Sequence, residues 1–134
     1  MKYPEIAIRA LVNSLDDDEE AYRWLTESKW KELAAFDDAF YSNDNAGAIE
    51  FLIQNKDKYP TVINFFGALE KQDKAFDLLM NNGDKEWAAV VNAYHGSSDA
   101  YDWLLNNNFA VYADLAEVLI KYKRTHHPGT ITIM

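Results

Sequence analysis

Large apolar residues recur along this chain at a nearly constant interval. A block with alanine first, a large residue second, a large apolar residue fourth and leucine fifth occurs four times, as Ala21-Tyr22-Arg23-Trp24-Leu25, Ala48-Ile49-Glu50-Phe51-Leu52, Ala75-Phe76-Asp77-Leu78-Leu79 and Ala100-Tyr101-Asp102-Trp103-Leu104. The four alanines are separated by 27, 27 and 25 residues. The first, fourth and fifth positions share one helical face, so each block predicts an amphipathic helix. A period of this length is typical of stacked repeat proteins.

A second apolar segment with helical spacing follows each block. In the third repeat it contains Trp87, Val90, Val91 and Tyr94, and the other repeats have similar segments. Residues 5–15 resemble such a second helix without its partner, because Lys2-Tyr3-Pro4 echoes Lys58-Tyr59-Pro60 ahead of it. We therefore predict an all-α fold, a short α-solenoid of helical hairpins with one leading helix and four two-helix repeats of 25–27 residues. The repeat domain is predicted to span 1–124, followed by a C-terminal tail at 125–134.

Residues 87–96 followed by 99–107 resemble the helix pair of an ankyrin repeat. There, a first helix ends near a glycine, here Gly96, and a second closes with a Leu-Leu pair, here Leu104-Leu105, before a left-handed turn. The resemblance covers the helix pairs of all four units but not the β-hairpin, because an ankyrin unit needs about 33 residues. It implies protein–protein recognition on one face of the stack and carries over no catalytic residue.

Composition narrows the classes of function. The 134 residues contain no cysteine, which excludes disulfides, thiol catalysis and thiolate-bound metals. The net charge of −9 repels phosphate backbones, so we expect no nucleic-acid partner. Residues 1–70 have a net charge of −7 and residues 71–134 of −2, so a basic partner would meet the N-terminal half first. Neither a membrane-spanning stretch nor a signal peptide is evident, which predicts a cytoplasmic protein without a membrane partner.

The sequence offers little catalytic chemistry. It has no glycine-rich phosphate loop, nucleophile elbow or zinc-protease motif. Adjacent carboxylates such as Asp37 and Asp38 point apart on a helix and cannot share a proton. The pair His126-His127 has no third ligand nearby, so no metal site is expected. We therefore predict a protein that is not an enzyme and has no cofactor.

The leading hypothesis is a non-enzymatic protein–protein interaction module. Its candidate binding residues form one exposed aromatic patch rimmed by acidic residues, made of Trp30, Tyr41, Tyr59 and Phe109. An alternative is an inhibitor or immunity-type protein whose acidic N-terminal half masks a basic partner. A third is a homodimer through a terminal helix, with the first helix as the contact through Ile6, Ile8, Leu11, Val12 and Leu15.

Overall fold

A computed structural model describes residues 3–41 and 46–126 of the chain. Within those ranges the chain forms nine helices and no strand. The helices are α1 (Glu5–Leu15), α2 (Glu19–Glu27), α3 (Lys31–Tyr41), α4 (Ala46–Gln54), α5 (Pro60–Leu69), α6 (Ala75–Asn81), α7 (Lys85–Tyr94), α8 (Ser98–Asn106) and α9 (Ala110–His126). The predicted short solenoid of one leading helix and four helical hairpins is thereby confirmed. Helix α9 continues past the predicted domain boundary at 124, and residues 127–134 of the predicted tail lie outside the described residues.

The odd-numbered helices form an inner layer that closes on itself. Each of α1, α3, α5 and α7 packs against the next odd-numbered helix, and α9 returns to pack against α1. The hydroxyl of Tyr3, just before α1, donates to Glu32 Oε2 at the start of α3 at 2.6 Å. At the other end, the Tyr122 hydroxyl of α9 donates to the carbonyl of Tyr41, the last residue of α3, at 2.6 Å. The inner helices therefore run in one direction around a closed ring, and α2, α4, α6 and α8 cover it from outside.

Aromatic side chains fill the interior of the ring. The Trp87 indole, only 1% exposed, lies in the middle of this cluster. Its ring makes edge contacts with Tyr3, Phe65 and Tyr112 at centroid distances of 5.8, 4.8 and 5.4 Å. Such pairs add to the stabilisation from burying apolar area. Because the interior is filled, the surfaces open to a partner are those of the outer helices and the two ends of the ring.

Most of the apolar face of α1 is buried where the ring closes against α9. Ile8, Leu11, Val12 and Leu15 are all buried, whereas Ile6 is 61% exposed. Two salt bridges of 2.8 Å reinforce the closure, Arg9 to Asp114 and Lys121 to Asp16. A homodimer through this helix stays a prediction, and of the five residues named for it Ile6 alone remains at the surface.

Local signals set the ends of the helices and so the positions of the connections. Asp18 caps α2, its side chain accepting from the backbone N–H groups of Glu20 and Ala21. The asparagine amides of Asn55 and Asn107 donate to carbonyls one turn back, at Phe51 and Trp103. The same two carbonyls also accept from the backbone N–H groups of these asparagines, so each asparagine makes two bonds at the end of an outer helix. Both asparagines lie seven residues after the alanine of their block, where the outer helix ends.

Candidate functional site

The outer helices expose large apolar side chains at two equivalent positions, both of them in three of the four repeats and one of them in the first repeat. The leucine at the fifth position of the block is fully buried in all four outer helices, at Leu25, Leu52, Leu79 and Leu104. The residues before and after it lie about 100° to either side on the helix. Seven of these flanking positions hold large apolar side chains that are 36% to 52% exposed, namely Trp24, Phe51, Ile53, Leu78, Met80, Trp103 and Leu105. We call this surface of α2, α4, α6 and α8 the outer wall.

Three of the four residues predicted as a binding patch border the outer wall. Trp30, Tyr59 and Phe109 each precede an inner helix and are half-buried. Each ring stacks on an exposed ring of the preceding outer helix, with centroid distances of 5.7 Å for Trp30 on Trp24, 6.2 Å for Tyr59 on Phe51 and 5.7 Å for Phe109 on Trp103. They therefore occupy the same end of the ring on three different repeats.

The fourth predicted residue lies elsewhere. Tyr41 ends α3, at the opposite end of the ring from the other three aromatic residues. Its hydroxyl lies 2.5 Å from the Leu15 carbonyl and 2.8 Å from Asp17 Oδ1, and its ring packs edge-on against Tyr122 at 4.3 Å. These contacts join α1, α3 and α9, so Tyr41 belongs to the closure of the ring. Tyr41 therefore does not form a single patch with Trp30, Tyr59 and Phe109.

The outer wall is indented between α6 and α8. This cavity, of about 360 Å³, has α7 as its floor, and we call it the α6/α8 groove. It is lined by Phe76, Met80, Lys85, Ala88, Ala89, Asn92, Ala100 and Trp103. None of these eight residues was predicted as a site residue. Its lining combines an apolar surface with one cation and one amide, which is a common composition for a binding pocket.

The third repeat, like the second, lacks a hydrogen bond that joins the outer and inner helices of the first and fourth repeats. In the first repeat the Tyr22 hydroxyl donates to Asp38 of α3 at 2.9 Å, and in the fourth the equivalent Tyr101 donates to Glu117 of α9 at 3.0 Å. The third repeat has Phe76 at the tyrosine position and Asn92 at the acid position. No corresponding bond can form, because a phenylalanine ring has no hydroxyl.

The side chains on the floor of the groove are also small. Ala88 and Ala89 lie where the neighbouring inner helix α5 has Ile63 and Asn64. The two alanines line the α6/α8 groove and add little bulk to its floor. Within the described residues, Lys85 makes no salt bridge and the Asn92 amide makes no hydrogen bond, so both polar groups are free to bind a ligand.

A larger depression of about 650 Å³ lies beside the turn between α7 and α8. Its lining includes Tyr101, Glu117 and Lys121. The first two are hydrogen-bonded to each other, and Lys121 forms the salt bridge with Asp16. Its main polar side chains therefore already have partners within the fold, which makes it a weaker candidate than the α6/α8 groove.

The strongly perturbed titratable groups serve the interior rather than the groove. Burial raises the pKa of Asp37 from 3.8 to about 6, an effect that a hydrogen bond from the Ser14 hydroxyl partly offsets. Burial also lowers the pKa of His95, whose ring lies 3.2 Å from the Ala68 carbonyl. The lowered pKa disfavours the charged form of His95 at the C-terminal end of α7. In the part of the chain that is described, no three metal-ligating side chains converge.

Comparison of the chain with protein-family models, curated proteins and solved structures finds no match. None of the described helices is both long and apolar enough to cross a bilayer.

Proposed function

We propose that this protein is a non-enzymatic interaction module that binds a protein partner on its outer wall, with the α6/α8 groove as the central anchor site. One observation carries the proposal. Seven large apolar side chains remain exposed at equivalent positions of the outer helices, and the α6/α8 groove between two of those helices has two polar groups, Lys85 and Asn92, without a partner among the described residues. Contiguous exposed apolar surface is a recognised mark of an interaction site.

The residue types support a protein as the ligand. Tryptophan and methionine are enriched where protein interfaces are tightest, and Trp103 and Met80 face each other across the groove. The stacked pairs Trp24–Trp30 and Trp103–Phe109 hold their rings in place before a partner arrives. Such preorganisation lowers the entropic cost of binding.

The test is a selection of displayed peptides against the full-length chain, followed by affinity measurements on the variants Met80→Glu and Trp103→Glu. Both side chains are partly exposed, so both variants should keep the circular dichroism spectrum of the parent, although Trp103→Glu also loses the stack on Phe109 and should lower the thermal midpoint. We expect selected ligands to lose at least about tenfold in affinity for either variant. Asn106→Glu, an exposed change elsewhere on α8, is the matched control and should bind as the parent does. Failure to select any ligand sensitive to Met80→Glu would refute the proposal.

A second candidate function is the masking of a basic partner by an acidic end of the ring. The run Asp16-Asp17-Asp18-Glu19-Glu20 is exposed at the connection from α1 to α2. Asp73, Asp77 and Asp99 lie at or near the starts of α6 and α8, which are at the same end. Binding of a basic protein there should weaken steeply with added salt and with the double reversal Glu19→Lys and Glu20→Lys, but not with Met80→Glu.

A further inference from the structure

The α6/α8 groove has a polar pattern that indicates what kind of segment fits it. Lys85 and Asn92 are seven residues apart on α7, so they lie on the same face about 10 Å apart along the helix axis. Ala88 and Ala89 lie between them and add no bulk to the floor. The walls on either side are apolar, with Phe76 and Met80 on one and Ala100 and Trp103 on the other.

The charge of the groove is opposite to that of the whole molecule. Lys85 is the charged residue among those lining the groove, in a chain whose net charge is −9. Charge complementarity therefore favours an acidic group above Lys85. An amide or hydroxyl complements Asn92, because an amide side chain can both donate and accept.

We propose that the α6/α8 groove binds one face of an amphipathic helix from a protein partner, with an acidic residue paired to Lys85. Two apolar residues one turn further along that helix lie over Ala88 and Ala89, and a polar residue two turns along meets Asn92. A helix laid along α7 repeats the same spacing of about 10 Å over seven residues, so its acid and its polar residue reach both ends of the floor. This inference rests on the proposed function and adds the chemical class of the ligand.

The first repeat offers a control for the role of Lys85. Aligning α3 with α7 places Lys31, Ala34, Ala35 and Asp38 at the positions of Lys85, Ala88, Ala89 and Asn92. There, however, Asp38 is already bonded to Tyr22. A substitution at Lys31 thus makes the same chemical change at the equivalent position of a repeat whose polar group already has a partner.

The experiment uses two fluorescent helical peptides and the full-length chain. One peptide has Glu, then Leu three and four residues later, then Gln at the seventh residue after the Glu, and the other has Lys in place of Glu. By fluorescence anisotropy we expect the Glu peptide to bind the parent at least about tenfold more tightly than the Lys peptide. The variant Lys85→Glu should reverse this preference, and Lys31→Glu should leave it unchanged. Both lysines are exposed, so neither variant should lose its fold.

Several results would overturn the inference. Equal affinity for the two peptides, or equal effects of Lys85→Glu and Lys31→Glu, would show that Lys85 does not select an acid. If neither peptide binds while the display selection still gives ligands sensitive to Met80→Glu, the ligand class is wrong and the proposed function stands. If the selection gives no such ligand, the proposed function itself fails.

Two other occupants would also refute the proposal. If the double variant Ile131→Asp and Ile133→Asp binds the Glu peptide more than about tenfold better than the parent, the chain's own C-terminal segment occupies the groove. If light scattering shows a dimer that Lys85→Glu abolishes, a second copy of the chain is the occupant. A monomeric parent with unchanged affinity after the double substitution supports the external helix.

Discussion

Replacing Asp37 by asparagine should change how stability depends on pH. Asp37 is 4% exposed in α3. The equivalent buried position of the other inner helices is apolar in each case, as Val12, Phe66, Val91 and Ala116. The charged carboxylate is thus buried at a position that otherwise forms part of the core. Burial and the nearby Asp38 and Asp17 raise its pKa from 3.8 to about 6, while the Ser14 hydrogen bond lowers it.

The size of the effect on the unfolding free energy follows from the shift in the pKa of Asp37. Each pKa unit corresponds to about 1.4 kcal/mol, so a folded-state pKa of about 6 against 3.8 makes ionised Asp37 cost about 3 kcal/mol of folding free energy. Because the folded pKa is the higher one, the cost is absent below pH 3.8. It grows as the pH rises towards 6 and is constant above that. Asparagine keeps the shape and an oxygen that can accept from Ser14, but it does not ionise.

The assay is urea denaturation of the parent and Asp37→Asn at several pH values between 4 and 8, at constant ionic strength. A packing cost of the buried amide is the same at every pH, so the informative quantity is how the difference in unfolding free energy changes with pH. We expect the variant to gain about 2–3 kcal/mol relative to the parent between pH 4 and pH 8. Asp77→Asn makes the same chemical change at an exposed position of α6 and controls for net charge. A difference that stays constant within about 0.5 kcal/mol would refute the assigned cost of the buried charge.

Three further changes test the fold. Leu104→Ala removes a fully buried side chain between layers and should lower the unfolding free energy by about 2–5 kcal/mol in urea denaturation. Gly96→Ala should cost about 1 kcal/mol, because the Gly96 φ of 109° is strained for a residue with a Cβ although nothing lies within 4 Å of one. Arg9→Ala should cost at most about 1 kcal/mol, since the salt bridge to Asp114 is roughly half-exposed, and a loss above about 2 kcal/mol would contradict this.

The number and pairing of the helices were predictable because the same hydrophobic pattern occurs four times in the sequence. The same block in four copies averages out local ambiguity, and the buried leucine at its fifth position marks one side of each outer helix. The opposite directions of Asp37 and Asp38 also followed from helical geometry. In the structure Asp37 accepts from Ser14 in the interior, whereas Asp38 accepts from Tyr22 on the outer side.

The closure of the ring could not be derived from the same pattern. An apolar first helix satisfies its hydrophobic face equally well against a second chain or against the last helix of its own chain. Only the three-dimensional path of the repeats decides between them, here by bringing α9 back to α1. For the same reason the sequence does not separate Tyr41 from the exposed aromatic residues, although its hydroxyl binds the Leu15 carbonyl and Asp17 where α1 meets α3.

The α6/α8 groove could not be predicted for a different reason, because its free polar group depends on a difference between repeats. A tyrosine on the outer helix and an acid on the inner helix bond in the first and fourth repeats, at Tyr22–Asp38 and Tyr101–Glu117. The third repeat has Phe76 and Asn92 at these two positions. The significance of that difference is visible only when the structure shows that the two positions are bonded in other repeats. Repeats that stabilise a ring need not be identical, and a repeat that loses an internal bond keeps its helices while freeing its polar group. The second repeat also lacks the bond, but it has Gly67 where the third has Asn92, so the third is the repeat that keeps a polar side chain at this position without the tyrosine that would bind it.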